Sequence, residues 1–355
     1  MYSCNGKRRH AFTIIEILVV VAIIVLLVAI LMPSLSQARQ HAKSVLCGSN
    51  LHHIGLSVAV YATESDGYYP VSYYYPRNPA GSWSVKQQNK AHPFGYVHWS
   101  YAINQNGAIE DKAFQCPDYE NGGAPRTNPG EDPHDWEGGQ IDQNGDKAPA
   151  RLRDKQATRM AYTANAILMP RNKFTRKLSD GPRTNRFVVD SELKRPGSTI
   201  LMTEYLNKWK ALGAKESEGV LSKAHRPINP FFHVGSGFNE YKAPKSNPGF
   251  IYGLPQDQEY YGLLAQDTVK SGLNVLDYTA GVSQMNAVGR HHPTKDPFFR
   301  ERYGGSANFL YADMHVDNKT ILETLRRRHW GDKYYSLEGA NDVLNMSVIH
   351  SAGNN

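Results

Sequence analysis

The segment Phe12–Met32 limits this chain more than any other. It is an apolar run of 21 residues carrying one ionisable group, Glu16, near its start. Lys7, Arg8 and Arg9 precede it and Pro33 follows it. As a helix such a run rises about 31 Å and matches a hydrocarbon core of about 30 Å. An acid inside a span costs about 2.5–3.5 kcal/mol on insertion scales, so Glu16 needs a partner or a purpose. A secretory signal peptide cut after Ala38 and a plain uncleaved anchor are the alternatives. Signal-peptide apolar cores run about 7–15 residues, and this one is longer and begins with an acid. The basic leader fits a cytoplasmic N-terminus with the remainder exported.

Beyond Pro33 the pattern predicts that the helix continues with a kink, because Pro removes one backbone hydrogen bond. Leu35, Ala38, Ala42, Val45, Leu46, Leu51, Ile54, Val58 and Tyr61 recur at three- and four-residue spacing and define its apolar face. The turn signal Asp66-Gly67 ends it. Strands are expected near 158–169, 186–190, 198–206, 306–312 and 314–318, the last two as a hairpin around Asp313-Met314, and a helix over 319–329. Residues 71–100, 120–150 and 223–258 read as long irregular stretches. The net charge of +7 is spread along the chain apart from Arg326-Arg327-Arg328, and says little about a nucleic-acid partner.

The stretch His10-Ala11-Phe12-Thr13-Ile14-Ile15-Glu16 resembles the N-terminus of type IV prepilins and type II secretion pseudopilins. By that resemblance prepilin peptidase cuts between Ala11 and Phe12, Phe12 becomes the N-methylated terminus, and Glu16 is the signature acid of assembly. The family has Gly before the cut where this chain has Ala11. Pro33 matches the Pro near the end of the family's span. Cys47-Gly48-Ser49-Asn50-Leu51 with Ile54-Gly55 is similar to a large-head subgroup. So are Asp66-Gly67-Tyr68-Tyr69-Pro70, Phe114-Gln115-Cys116-Pro117, Tyr162-Thr163-Ala164-Asn165 and Arg195-Pro196-Gly197-Ser198-Thr199-Ile200-Leu201. That subgroup ends in His, nine residues, then Asp-Gly; here Tyr303 stands for the His and Met314 for the Gly.

The resemblance implies an α+β, pilin-like fold: a long N-terminal helix packed on an antiparallel head with large irregular insertions. It divides the chain into a leader (1–11), a membrane or filament-core helix (12–33), an amphipathic continuation (34–66) and an exported head (67–355). It implies a non-enzymatic, single-pass inner-membrane subunit that assembles with other pilins or pseudopilins in a pilus or a secretion pseudopilus. The alternative is a singly displayed binding protein for polysaccharide or DNA. An anchored hydrolase is disfavoured, because no acid–base pair or nucleophile stands out, and the chain has no Walker motif, no H-E-x-x-H and no C-x-x-C.

Of three cysteines, Cys4 lies in the leader; Cys47 and Cys116 are either a disulfide or two small buried hydrophobes. Asp142, Asn144 and Asp146 alternate like the start of a calcium loop, with an Asx-rich turn as the plainer reading. His291-His292 with Asp296, Asp313 and His315 offers zinc ligands, but adjacent histidines on a strand face opposite ways, so exposed loop histidines are expected. Arg326-Arg327-Arg328-His329-Trp330 reads as a solvated helix end before a phosphate grip. The aromatics of 68–101 read as core before a sugar platform.

Overall fold

The computed structural model describes residues 13–76, 95–105, 107, 109–171, 185–233, 250–252, 261–271, 274–276, 283–337 and 342–343. The chain divides into two compact units, Met1–Ala42 and Lys43–Asn355. Helix α1, Ile14–Glu64, contributes to both. It runs through Pro33 without ending there. Its most apolar 18 residues have mean hydropathy 3.5, enough by length and composition to cross a membrane. The helix stops where Asp66 and Gly67 take up positive φ (51° and 82°), the turn that the Asp-Gly pair predicts.

Within the larger unit the central sheet has four strands: β1 (Tyr162–Ala164), β2 (Ile200–Glu204), β3 (Ala307–Tyr311) and β4 (Val316–Lys319). Their order is β4-β3-β2-β1 and every pairing is antiparallel. The expected α+β layout is therefore what the head has. Opposite residues Asn308 and Leu310 on β3, Met202 and Glu204 on β2, and Tyr162 and Ala164 on β1 alternate onto one face, because strand side chains have a period of two. α1 lies on that face. A Cβ on Gly55 would stand 2.8 Å from Leu310 Cδ1, so glycine lets helix and sheet approach closely.

The buried stripe of α1 is Cys47, Leu51, Ile54, Gly55, Ser57, Val58 and Ala62. Val45 and Leu46, expected on that face, are exposed instead, at 71% and 56%. Cys47 and Gly55 set the phase of the stripe, and residues one and two before Cys47 fall about 100° and 200° away around the helix. Residues 186–190 form no ladder strand. Val189 makes an isolated bridge to Tyr68, and a 3-10 turn follows at Asp190–Glu192. The stretch 158–169 yields Arg159–Met160, which pairs with Ala124–Pro125, and β1. After helix α2 (Pro297–Tyr303), β3 and β4, the predicted C-terminal helix appears as α3, Ile321–Arg326. Thr320 and Glu323 close a capping box at its start.

Candidate functional site

The first candidate site is the start of α1. Ala11 and Phe12, the expected cleavage and methylation positions, lie outside the described residues. Glu16 Oε2 accepts the Thr13 N–H at 2.8 Å and the Thr13 hydroxyl at 2.9 Å. The Glu16 N–H in turn donates to Thr13 Oγ1 at 3.3 Å. Thr13-x-x-Glu16 is therefore a capping box that satisfies two otherwise orphaned donors of the first turn.

The second is a buried ionic cluster where α1 meets the head. Cys47 and Cys116 are joined as a disulfide, with Cα atoms 5.2 Å apart. Beside it, His292 Nε2 lies 2.9 Å from Glu204 Oε1, and both side chains are fully buried. His292 Nδ1 stands 3.3 Å from Asp118 Oδ2, an ion-pair distance without hydrogen-bond alignment. Lys43 Nζ donates to Asp118 Oδ1 at 3.1 Å. Glu204 also accepts the Asn308 N–H and Nδ2–H, each at 2.9 Å, and Asn308 Nδ2 donates to the Ser44 carbonyl on α1. The chain of contacts thus leaves α1 at Lys43 and returns to it at Ser44.

Electrostatics follow from this crowding. Burial pushes the Glu204 carboxyl up, but the bond and charge of His292, with His291 and the Asn308 N–H, outweigh it and hold the group below the usual range. Burial pushes His292 down, yet Asp118 and Glu204 together lift it to about 9. Burial alone dominates at His291, which falls to about 4. The imidazolium of His292 is thus flanked by two carboxylates.

The side chains of His291 and His292 are only 5% and 0% exposed, contrary to the expectation of exposed loop histidines. Neither lies within a regular ladder: His292 forms only an isolated bridge to Ser306, so the alternation that would send one ring outward does not apply. The rings lie 4.3 Å apart. Their expected companions have other partners. Asp296 caps α2 by accepting the Phe299 N–H, and Asp313 pairs with His315, which stacks on Tyr311. Glu204 was the missed member, and its signal was a lone acid closing the apolar strand Ile200–Glu204.

The remaining candidates are placed as follows. Asp142 is buried, and its Oδ1 accepts the N–H of Asn144 and of Asp146, so the loop's own backbone engages that oxygen; Asn144 and Asp146 are exposed. Arg326, Arg327 and Arg328 are exposed at the end of α3, but Trp330 is fully buried and donates to Thr324 Oγ1, which removes it from any stacking surface. Tyr69, Tyr73, Tyr96 and Trp99 are core residues, while Tyr68 and Tyr101 are partly exposed. A cleft of about 750 Å³ is lined by Tyr101, Arg126, Arg151, Arg153 and Lys155, together with Glu131, Asp132 and Asp154.

The prokaryotic N-terminal methylation motif matches residues 6–32. With the long apolar N-terminal helix, that match supports a type IV pilin-like protein whose motif implies processing by prepilin peptidase. No curated protein and no solved structure matches the chain.

Proposed function

We propose that the chain is a non-enzymatic structural subunit of a type IV pilus-like or type II secretion pseudopilus filament. In this reading prepilin peptidase cuts between Ala11 and Phe12, and the new terminus is methylated. The subunit sits single-pass in the inner membrane with its head exported, then joins other pilin or pseudopilin subunits. The observation that carries the reading is the methylation motif lying directly on the apolar start of a helix that continues to Glu64. Cleavage leaves an α-ammonium at Phe12, and Glu16 of a neighbouring subunit is the acid placed to answer it. Bundling within lipid then relies on packing and on that polar pairing, since lipid tails supply no hydrophobic drive between helices. Intact mass spectrometry of membrane-extracted protein tests it. The expected mass begins at Phe12 and includes one added methyl; a mass beginning at Met1 or beyond Pro33 overturns the reading.

A second reading, a singly displayed receptor, draws support from the cleft. Arg151, Arg153 and Lys155 with the Tyr101 ring supply the cations that an acidic polysaccharide would meet, beside Glu131 and Asp132, while Arg126 is buried and ion-paired with Asp135. Retention on an acidic glycan array, lost in the Arg151→Ala/Arg153→Ala double variant, would favour it. Retention of neutral glycans alone, or of none, would count against it.

A further inference from the structure

We propose that Cys47, Cys116, His292 and Glu204 form a tetrahedral zinc site when the Cys47–Cys116 disulfide is reduced, so that the same junction is stapled by sulfur–sulfur bonding in one redox state and by metal in the other. One ligand atom from each of the four residues lies within 4.8 Å of the others, and all four residues are buried. Zinc bound to two thiolates, an imidazole and a carboxylate holds its ligand atoms roughly 3.3–3.8 Å apart, given metal–ligand distances of about 2.0–2.3 Å. The two carboxylate and imidazole positions are already close to that. The sulfurs have to move apart from bonding distance, and their Cα separation of 5.2 Å leaves room for each side chain to turn outward without moving the backbone far.

The surroundings are built for such a site. A zinc-bound histidine almost always offers its second nitrogen to a carboxylate, which fixes the ring and raises its basicity. Asp118 Oδ2 already stands 3.3 Å from His292 Nδ1, leaving Nε2 directed at Glu204. Lys43 holds Asp118, and Asn308 holds both oxygens of Glu204. His291 Nε2 lies 3.8 Å from Cys116 Sγ and the same distance from Glu204 Oε2.

The chemistry balances as follows. A dithiol reductant transfers two electrons and two protons to the disulfide, becoming a cyclic disulfide and leaving two cysteine thiols. Zn²⁺ then displaces both thiol protons and the Nε2 proton of His292, releasing three protons to solvent. Reoxidation expels the metal, since the two sulfurs cannot bind each other and zinc at once.

The full chain in neutral detergent, reduced with a phosphine and titrated with Co²⁺, tests the proposal. We expect one cobalt per reduced chain, with thiolate-to-cobalt charge-transfer absorption and the strong visible bands of a tetrahedral ion, displaced by Zn²⁺. The oxidised chain gives neither. His292→Ala weakens binding at least 10-fold. Asp118→Asn, which removes no ligand, weakens it about 10-fold. Absence of a stoichiometric tetrahedral signal in the reduced chain overturns the proposal, as does an oxidised chain that binds equally well. Should His292→Ala fail to fold by near-UV circular dichroism, the Asp118→Asn titration decides, and unchanged affinity there counts as refutation.

Discussion

At the residue scale Glu16 has two roles that can be separated. The structure gives it a local one, closing the capping box with Thr13, and the proposed assembly gives it a charge to share between subunits. Glutamine at the third helical position still accepts the N-cap amide, so Glu16→Gln keeps the box but removes the charge. If pairing is the role that matters, Glu16→Gln loses filament incorporation as completely as Glu16→Ala, while both variants still insert in the membrane fraction. Incorporation by Glu16→Gln alone would assign the residue to capping. Met314 is a second local conflict. It sits at φ 72°, in the left-handed region, in the turn between β3 and β4. That region costs an L-residue about 1–2 kcal/mol, but glycine carries a comparable entropic penalty. We therefore expect Met314→Gly to lie within about 1 kcal/mol of the parent in urea unfolding. Met314→Val, β-branched at positive φ, should lose about 2 kcal/mol.

At the scale of elements, segments far apart along the chain converge in space. Tyr162 donates to the Cys47 carbonyl, and Asn50 to the Gln115 carbonyl. Asn165 bridges the carbonyls of Ile200 and Trp330, and Asn308 reaches Ser44. These side chains are the polar fittings of one helix-on-sheet joint. Gly305 belongs to the same joint. A Cβ there would come within 1.8 Å of the His292 carbonyl, beside the bridge between His292 and Ser306. Backbone cannot give way as a side-chain end can. Gly305→Ala should cost about 3 kcal/mol or more in head stability, read from the urea midpoint by Trp fluorescence. A change under 1 kcal/mol would mean that the 290–292 segment shifts freely.

How much of this was legible in the sequence follows from range. The membrane-type run, the Asp66-Gly67 stop, the Asp313-Met314 hairpin and the Thr320 start of α3 are local patterns, read from neighbours in the chain. The phase of the α1 stripe was misread at Val45 and Leu46 because the sheet, not helix periodicity, selects the buried face. The two contacts of the Glu204–His292–Asp118 cluster span 88 and 174 positions, and no spacing rule reaches so far.

At the scale of the whole molecule, the same burial that built the core sets the pH response of the head. His98 is buried and its Nδ1 accepts the Ser100 N–H at 3.3 Å; burial pushes it down to about 3. His225, buried beside Thr127, is likewise held well below the usual value, first by burial and then by nearby Arg226. Both stay neutral in the folded chain and take up protons only on unfolding once pH drops below about 6.5. The unfolded state then binds more protons, so stability falls with acid, by up to about 2 kcal/mol per histidine between pH 7 and 5. Asp154 acts in the opposite sense. Burial lifts it to about 7 against the bonds from Asn128 and Tyr96. Its folded form holds a proton that the unfolded form has lost, so its contribution is retained in acid and disappears as pH rises through 7. The head should therefore lose stability from pH 7 to 5, with the slope cut by about 2 kcal/mol in His98→Gln and steepened by about 2 kcal/mol in Asp154→Asn. Urea titrations of the full chain in detergent at the two pH values, followed through buried Trp99 and Trp330, read both slopes; shifts of the same sign in the two variants would break the assignment.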